Sequence, residues 1–301
     1  MTWKLPPDLV VGPSFGTLSL APTNWGMAAT SIDRLRVRNG EGEVIAILDT
    51  GLDPDHPELS GGVKANVSFV PGESAYDQHG HGTHCAGTAA GSSPTIGVAG
   101  KAKILGGKCL SNSGSGTTDG IRNAIKWAIA SKATVISMSI GGQGFMEGVE
   151  DLVRLADDAG IVTCLAAGNE RGEGGMVRFP SSAIVVAAVD SNGRYASFSN
   201  PASTNAILSC AAPGVGITSA KPGGGYQMMS GTSMATPFVA GVVAALQSER
   251  IARGLARLKN ADIKRLFGSR NVDAGTPGAD TNYGPGLIDG EMLKLSLIPT
   301  P

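Results

Sequence analysis

The sequence predicts an α/β fold built on a mostly parallel sheet flanked by helices. Two observations carry that expectation. Short β-branched runs alternate with stretches of helical periodicity, the order of strand–helix–strand units. The runs are also nearly continuous in apolar residues, as in strands covered on both faces. They stand at Val44–Leu48, Thr134–Ser139, Ile161–Ala166 and Ile184–Val189, with a weaker one at Lys103–Gly106. Helices are expected over Thr117–Ala130, Glu147–Ala159 and Ser233–Ser248. In the first, Ile121, Ile125 and Ala128 recur at helical spacing, and Asp119 sits in the opening turn. No repeat or linker divides the chain. It reads as one domain over residues 41–301, preceded by an N-terminal extension of residues 1–40.

Composition narrows the class. A chain of 301 residues can bury a sizeable core without disulfides or a structural metal. With 16% charged and 42% hydrophobic residues, intrinsic disorder is excluded. The 44 glycines follow no Gly-X-Y period, so they serve turns and close backbone approaches rather than a collagen helix. The net charge is −1 and no polybasic run occurs, which argues against nucleic acid or an anionic membrane as partner. Apolar stretches such as Ile184–Val189 fall far short of the roughly 20 residues of a membrane span. The first 30 residues are broken by Pro and Gly and show no signal-peptide core. Cys85, Cys109, Cys164 and Cys210 are widely spaced without a CxxC, which favours four free thiols over two bridges. Both features point to the cytoplasm rather than to secretion, although a mature fragment given a new start Met reads the same way.

Chemistry concentrates on four Gly/Ala-rich strings. All four histidines, His56, His79, His81 and His84, fall in one stretch. They admit a metal-cluster reading, but no Cys or carboxylate flanks them at a zinc spacing and no HExxH occurs. GHGTHCAGTAAG fits a loop entering a small-residue helix, with one histidine at its start. In VIAILDTG, Asp49 ends a buried strand, the edge where sites collect in open α/β sheets. Read alone, Asp49 could equally cap a turn; a single-chain aspartic protease needs two such strings, and there is one. Ser233 precedes the apolar helix FVAGVVAALQ, as an ordinary N-cap also does. Asn169 closes the string AAGN after another strand. An acid, a histidine, a carboxamide and a serine form the inventory of acyl transfer. Their order, Asp…His…Ser, differs from that of the α/β-hydrolases and of the chymotrypsin-like enzymes.

In these strings the chain resembles the subtilisin-like serine proteases, the subtilases. The resemblance rests on DTG at Asp49, HGTHCAGT at His81, SMSIGG at Ser137–Gly142, AAGN at Asn169, SFSN at Ser197–Asn200, APG at Ala212–Gly214 and GTSMATP around Ser233. YGPGLID resembles the family's closing segment, and the match covers roughly residues 42–297. It implies a three-layer α/β fold and a serine endopeptidase with Ser233 as nucleophile. His81 would be its general base and then acid, Asp49 the partner of the imidazole, and Asn169 an oxyanion donor beside the Ser233 N–H. His84 would be structural. The substrate implied is an extended peptide or unfolded protein, lying as a strand between Gly114-Ser115-Gly116 and Ser139-Ile140-Gly141. Ala166, Ala167 and Gly168 would wall the S1 pocket with the loop before Pro180. Arg178 stands where the family has a small residue, which either charges the pocket floor or, with a shifted register, swings into solvent.

No cofactor is implied for the chemistry. Structural calcium is common in the family, but here its usual loop is altered. The segment Gly91–Val98 lacks the usual Asn and Glu58 replaces a common Asp, which leaves carbonyl oxygens as the remaining donors. Cys85, one helical turn after His81, resembles the proteinase K branch and implies sensitivity to mercurials, or else is an inert buried thiol. The extension resembles that of intracellular subtilisins. There Leu5-Pro6-Pro7 would lie across the active site until removed, the alternative being a disordered tail. Two rival functions share the same residues: a peptide ligase or macrocyclase, and a non-catalytic binding protein of the same fold.

Overall fold

The computed structural model describes residues 2–5, 10–15, 23–141, 148–171, 180–203 and 207–297, with the backbone alone at 2–4 and 10–15. The strands are β1 (Thr2–Lys4), β2 (Val10–Phe15), β3 (Val44–Asp49), β4 (Val63–Ser68), β5 (Lys103–Lys108) and β6 (Ser115–Thr117), then β7 (Val135–Met138), β8 (Val162–Ala166), β9 (Ile184–Val189), β10 (Cys210–Pro213), β11 (Ile217–Ala220) and β12 (Tyr226–Ser230). The helices are α1 (Gly26–Ala29), α2 (His81–Ala90), α3 (Thr118–Ala130), α4 (Glu150–Asp158), α5 (Thr232–Ala252), α6 (Asn260–Arg270) and α7 (Gly290–Lys294).

Seven strands form the central sheet in the order β10-β9-β8-β7-β3-β5-β4, and every pairing is parallel. The alternation along β3 shows why both faces are covered. Ile45 and Ile47 join the core with α2 and α5, whereas Ala46 and Leu48 join the core with α3 and α4. The result is the three-layer α/β architecture, helices on both faces of one sheet. Helix α5 is buried along most of its length, from Thr232 to Glu249, which is why its sequence shows almost no polar face.

The strands foreseen from apolar runs form as expected, with the weak one reaching Lys108. Its two glycines are packing requirements: a Cβ on Gly106 would stand 2.3 Å from Asn66 Oδ1, and one on Gly107 2.6 Å from Leu48 Cδ2. The helix expected from Glu147 begins at Glu150, after Gly148 at φ +81°. Pro237 lies just past the first turn of α5, with consequences taken up below. Strand β4 was not legible because it is a half-exposed edge, and β10 because Cys-Ala-Ala-Pro carries no β-branched residue.

The N-terminal residues are tied down in pieces. β1 pairs antiparallel with β6, and β2 pairs antiparallel with β12 to complete a three-stranded sheet with β11. Within the expected extension, Met27, Ile32 and Leu35 are buried in the same core as Phe238 and Leu293. Among the described residues no helix is long and apolar enough to cross a membrane.

Candidate active site

The parallel sheet aims the ends of several strands at one edge, and four of the sequence strings meet there. Asp49 is the last residue of β3, His81 the first of α2, Ser233 lies in the first turn of α5, and Asn169 follows β8. His81 Nδ1 lies 2.7 Å from Asp49 Oδ1, with both side chains fully removed from solvent. The same carboxylate oxygen accepts the Thr50 N–H at 2.7 Å, which fixes its orientation. Burial by itself lowers the basicity of His81, but the Asp49 carboxylate, with the Cys85 sulfur behind it, outweighs burial. The imidazole is held well above its ordinary range.

Four buried polar atoms of these residues have no hydrogen-bond partner among the described residues: Asp49 Oδ2, His81 Nε2, Ser233 Oγ and Asn169 Nδ2. Buried polar groups are nearly always paired, so unpaired atoms gathered at one place single it out as the candidate site. The direction of Asn169 is set from behind. Its Oδ1 accepts from both the N–H and the hydroxyl of Thr232 at 2.9 Å, which leaves the Nδ2 donor facing the other way. The N–H of Ser233, by its position in the first helical turn, has no intrahelical acceptor either.

Pro237 explains a further feature of the Ser233 backbone. Proline has no N–H to give the carbonyl four residues earlier, and that carbonyl is Ser233's. It accepts instead from Ser139 Oγ at 2.8 Å and from Cys85 Sγ at 3.4 Å. The Cys85 sulfur also lies 3.8 Å from His81 Nδ1, and burial pushes this thiol's pKa up. Ser139 thus turns its hydroxyl toward the serine helix.

A family model described as the subtilase family matches residues 40–286. The chain is a subtilase. Subtilisin of Bacillus pumilus is 40% identical to it over 260 residues, covering 83% of this chain and 90% of the relative. Thermitase of Thermoactinomyces vulgaris is 41% identical over 235 residues, covering 76% and 80%. Subtilisin E of Bacillus subtilis (strain 168) is 40% identical over 260 residues, and there the match spans only 65% of the relative's length.

Two of the other histidines of this subtilase are held by backbone groups. His84 Nε2 donates to the Ile217 carbonyl at 2.9 Å, and burial lowers its pKa to about 3, so it stays neutral. His56 Nε2 lies 2.8 Å from the Gly225 carbonyl while its Nδ1 accepts the Glu58 N–H. Among the described residues the four histidines do not gather as metal ligands; the one compact group of potential ligands is Asp49, His81 and Cys85.

Of the expected substrate edges, Gly114-Ser115-Gly116 is an edge occupied by β1. Thr2 stands opposite Thr117, Trp3 opposite Gly116 and Lys4 opposite Ser115, and the Leu5 N–H donates to the Gly114 carbonyl at 3.0 Å. Gly114 sits at φ +74°, and a Cβ there would press on Leu5 Cδ1 at 3.0 Å and on the His79 ring at 3.4 Å. On the other side Ser139 and Ile140 are buried, with Gly141 half-buried. Ala166 and Ala167 are buried, and Gly168, at φ +99°, donates its N–H to Thr232 Oγ1. A side chain at Gly168 would collide with Asn200 Nδ2 and Glu170 Oε2, both at 2.5 Å. Arg178, Pro6 and Pro7 lie outside the described residues.

The sequence reading missed the supporting residues. Thr232 is one. Lys108 is another: fully buried, it donates to the Thr50 carbonyl at 2.6 Å and pairs with Glu73 at 3.2 Å, fixing the turn behind Asp49. A lysine closing the apolar, Gly-rich run Ile104–Gly107 was the available signal.

Proposed function

We propose that this subtilase is a serine endopeptidase acting on extended or unfolded polypeptide through an acyl-enzyme on Ser233. The observation that carries the reading is the buried Asp49–His81 pair at 2.7 Å beside the unpartnered Ser233 Oγ and Asn169 Nδ2. In this mechanism His81 Nε2 takes the Ser233 hydroxyl proton as Oγ attacks the scissile carbonyl. Asp49 stabilises the resulting imidazolium. The tetrahedral oxyanion accepts from Asn169 Nδ2 and the Ser233 N–H, and His81 returns its proton to the leaving amine. Water then repeats the sequence on the ester and frees Ser233. Base, nucleophile and oxyanion donors are all supplied by the chain, so these steps require no cofactor. A fluorophosphonate that reacts with the wild type and spares Ser233→Ala, together with hydrolysis of an unfolded protein by the wild type alone, is the expected result. Hydrolysis by a folded Ser233→Ala chain overturns the assignment.

Two further parts of the proposal concern regulation and calcium. Residues 1–40 precede a catalytic body of residues 41–301, and the start of this extension acts as an inhibitor in place. Supporting this, β1 occupies the edge expected to receive substrate, β2 pairs with the strand leading into Ser233, and His81, Asn169 and Ser233 are all at 0% exposure. A chain lacking residues 1–20, which keeps the core residues Met27, Ile32 and Leu35, should cleave a short peptide faster than the full chain. Equal rates reject inhibition.

The residues of the 91–98 segment do not fit calcium. Glu58 Oε1 accepts from the Tyr226 hydroxyl at 2.8 Å and Oε2 from the Ser93 N–H at 2.7 Å, while Asn24 Nδ2 points a donor at the Ile96 carbonyl at 3.5 Å. Protons of the chain thus occupy both Glu58 oxygens and one side of the Ile96 carbonyl, which works against a cation demanding six to eight oxygens. The four buried free thiols suit a reducing compartment, which supports the cytoplasmic reading.

A further inference from the structure

The Asp49–His81 hydrogen bond joins two elements far apart in sequence, the end of β3 and the start of α2, so something must set their separation. We infer that Asp77 does this as a positioning residue, clamping the turn after Asp49 to the helix that carries His81. The inference rests on the catalytic reading of Asp49 and His81 given above.

Asp77 is fully buried, and its carboxylate accepts five hydrogen bonds. Oδ1 takes the Thr50 hydroxyl at 2.8 Å and the N–H groups of His79 at 3.1 Å and Gly80 at 2.8 Å. Oδ2 takes the Thr83 N–H at 2.8 Å and the Thr83 hydroxyl at 2.7 Å. None of these donors is a cation. The charge is balanced by the N-terminal end of α2, where free N–H groups and the helix dipole favour an anion.

Thr50 completes the ring. Its hydroxyl, while donating to Asp77, accepts the Gly82 N–H at 2.9 Å, so one oxygen touches both the carboxylate and the residue after His81. Its carbonyl is held by the buried Lys108 ammonium at 2.6 Å. Gly82 permits the approach, since a Cβ there would stand 2.2 Å from the Gly51 carbonyl oxygen. Thr50, the neighbour of Asp49, and Gly82, the neighbour of His81, are therefore tied through Asp77. Opening this ring frees the two elements to separate by the few tenths of an ångström that weaken a 2.7 Å charge-assisted bond. Neither Asp77 nor Thr50 is assigned a contact with substrate.

The test is a cycle of Asp77→Asn, Thr50→Val and the double variant, with Thr50→Ser as the conservative control. In Asp77→Asn the amide NH2 faces donors it cannot accept from, and kcat should fall about 10- to 100-fold with KM within about twofold. Thr50→Val breaks the same ring without changing charge. It should lower kcat about tenfold and move the acid limb of kcat/KM downward, while Thr50→Ser stays near wild type. The double variant should be no slower than Asp77→Asn by more than about twofold, because both changes open one ring. Multiplying losses, or a folded Thr50→Val with unchanged kcat and acid limb, overturns the inference. Should Asp77→Asn fail to fold, Thr50→Val and Thr50→Ser decide the matter alone. Absence of hydrolytic activity even in the chain lacking residues 1–20 would refute the catalytic reading instead. In that case the low-field proton signal of His81 Nδ1–H still tests the clamp, moving upfield in Thr50→Val if the clamp is real and staying fixed if it is not.

Discussion

Removing the Glu58 carboxylate should cost stability in a way that calcium neither causes nor cures. Glu58 is 5% exposed, and Glu58→Ala deletes two short hydrogen bonds to a charged acceptor, from Tyr226 Oη at 2.8 Å and Ser93 N at 2.7 Å. Bonds of this kind contribute about 1.5–3 kcal/mol each. The Tyr226 hydroxyl is half-buried and can turn to water, so the lower end applies to it, whereas the Ser93 N–H is left without its acceptor. A total of about 3–4.5 kcal/mol, at about 2 °C per kcal/mol for a chain of this size, lowers Tm by roughly 6–9 °C. The assay is thermal unfolding of the Ser233→Ala background, which prevents self-digestion, with excess calcium and with a chelator. The wild-type arm should move by less than about 1 °C between the two conditions. A chelator-induced drop of several degrees that disappears in Glu58→Ala would show that Glu58 binds a cation, and would refute the argument from its hydrogen bonds.

Three further outcomes are expected. Asn169→Ala should lose about 10²–10³ in kcat with little change in KM, a range inherited from this family's own oxyanion donor rather than worked from the geometry; a loss below about tenfold removes Asn169 from that role. Because His81 must be neutral to accept a proton and its basicity is raised by Asp49, kcat/KM should rise with pH along an acid limb above the ordinary imidazole value. Asp49→Asn leaves burial as the main influence and should move that limb downward; an unmoved limb contradicts the assigned cause. Mercurials should inhibit through Cys85, whose sulfur lies 3.8 Å from His81 Nδ1, and Cys85→Ala should remain active but resistant, as residual activity after titration will show. Undiminished sensitivity in the variant assigns the effect to another thiol.

What could be read from the sequence was what the chain encodes locally. Asp49, His81, Asn169 and Ser233 each sit in a short string whose neighbours are small because a loop or helix start must pass close to other backbone. Such strings are visible without knowing what they face. The parallel sheet was legible for a similar reason, since a strand covered on both faces must be apolar throughout. Residues whose purpose exists only across space were not legible. Asp77 reads as one more polar residue before a glycine, and Thr232 as part of a serine motif. Their roles appear once Asp77 is seen to gather Thr50, Gly80 and Thr83, and once Thr232 is seen to occupy the Asn169 carbonyl oxygen.

Pro237 shows how such a role can be missed even inside a string that the resemblance rests on. A proline near a helix start seems merely tolerated, yet here it strips the Ser233 carbonyl of its helical partner. That carbonyl becomes the acceptor through which Ser139 and Cys85 hold α5 against the strand edge and against α2. The missing N–H therefore joins three of the motifs that the sequence presents separately. It also gives Cys85 two neighbours in the candidate site, the Ser233 backbone and the His81 ring, so a heavy atom bound to that sulfur would push on both at once.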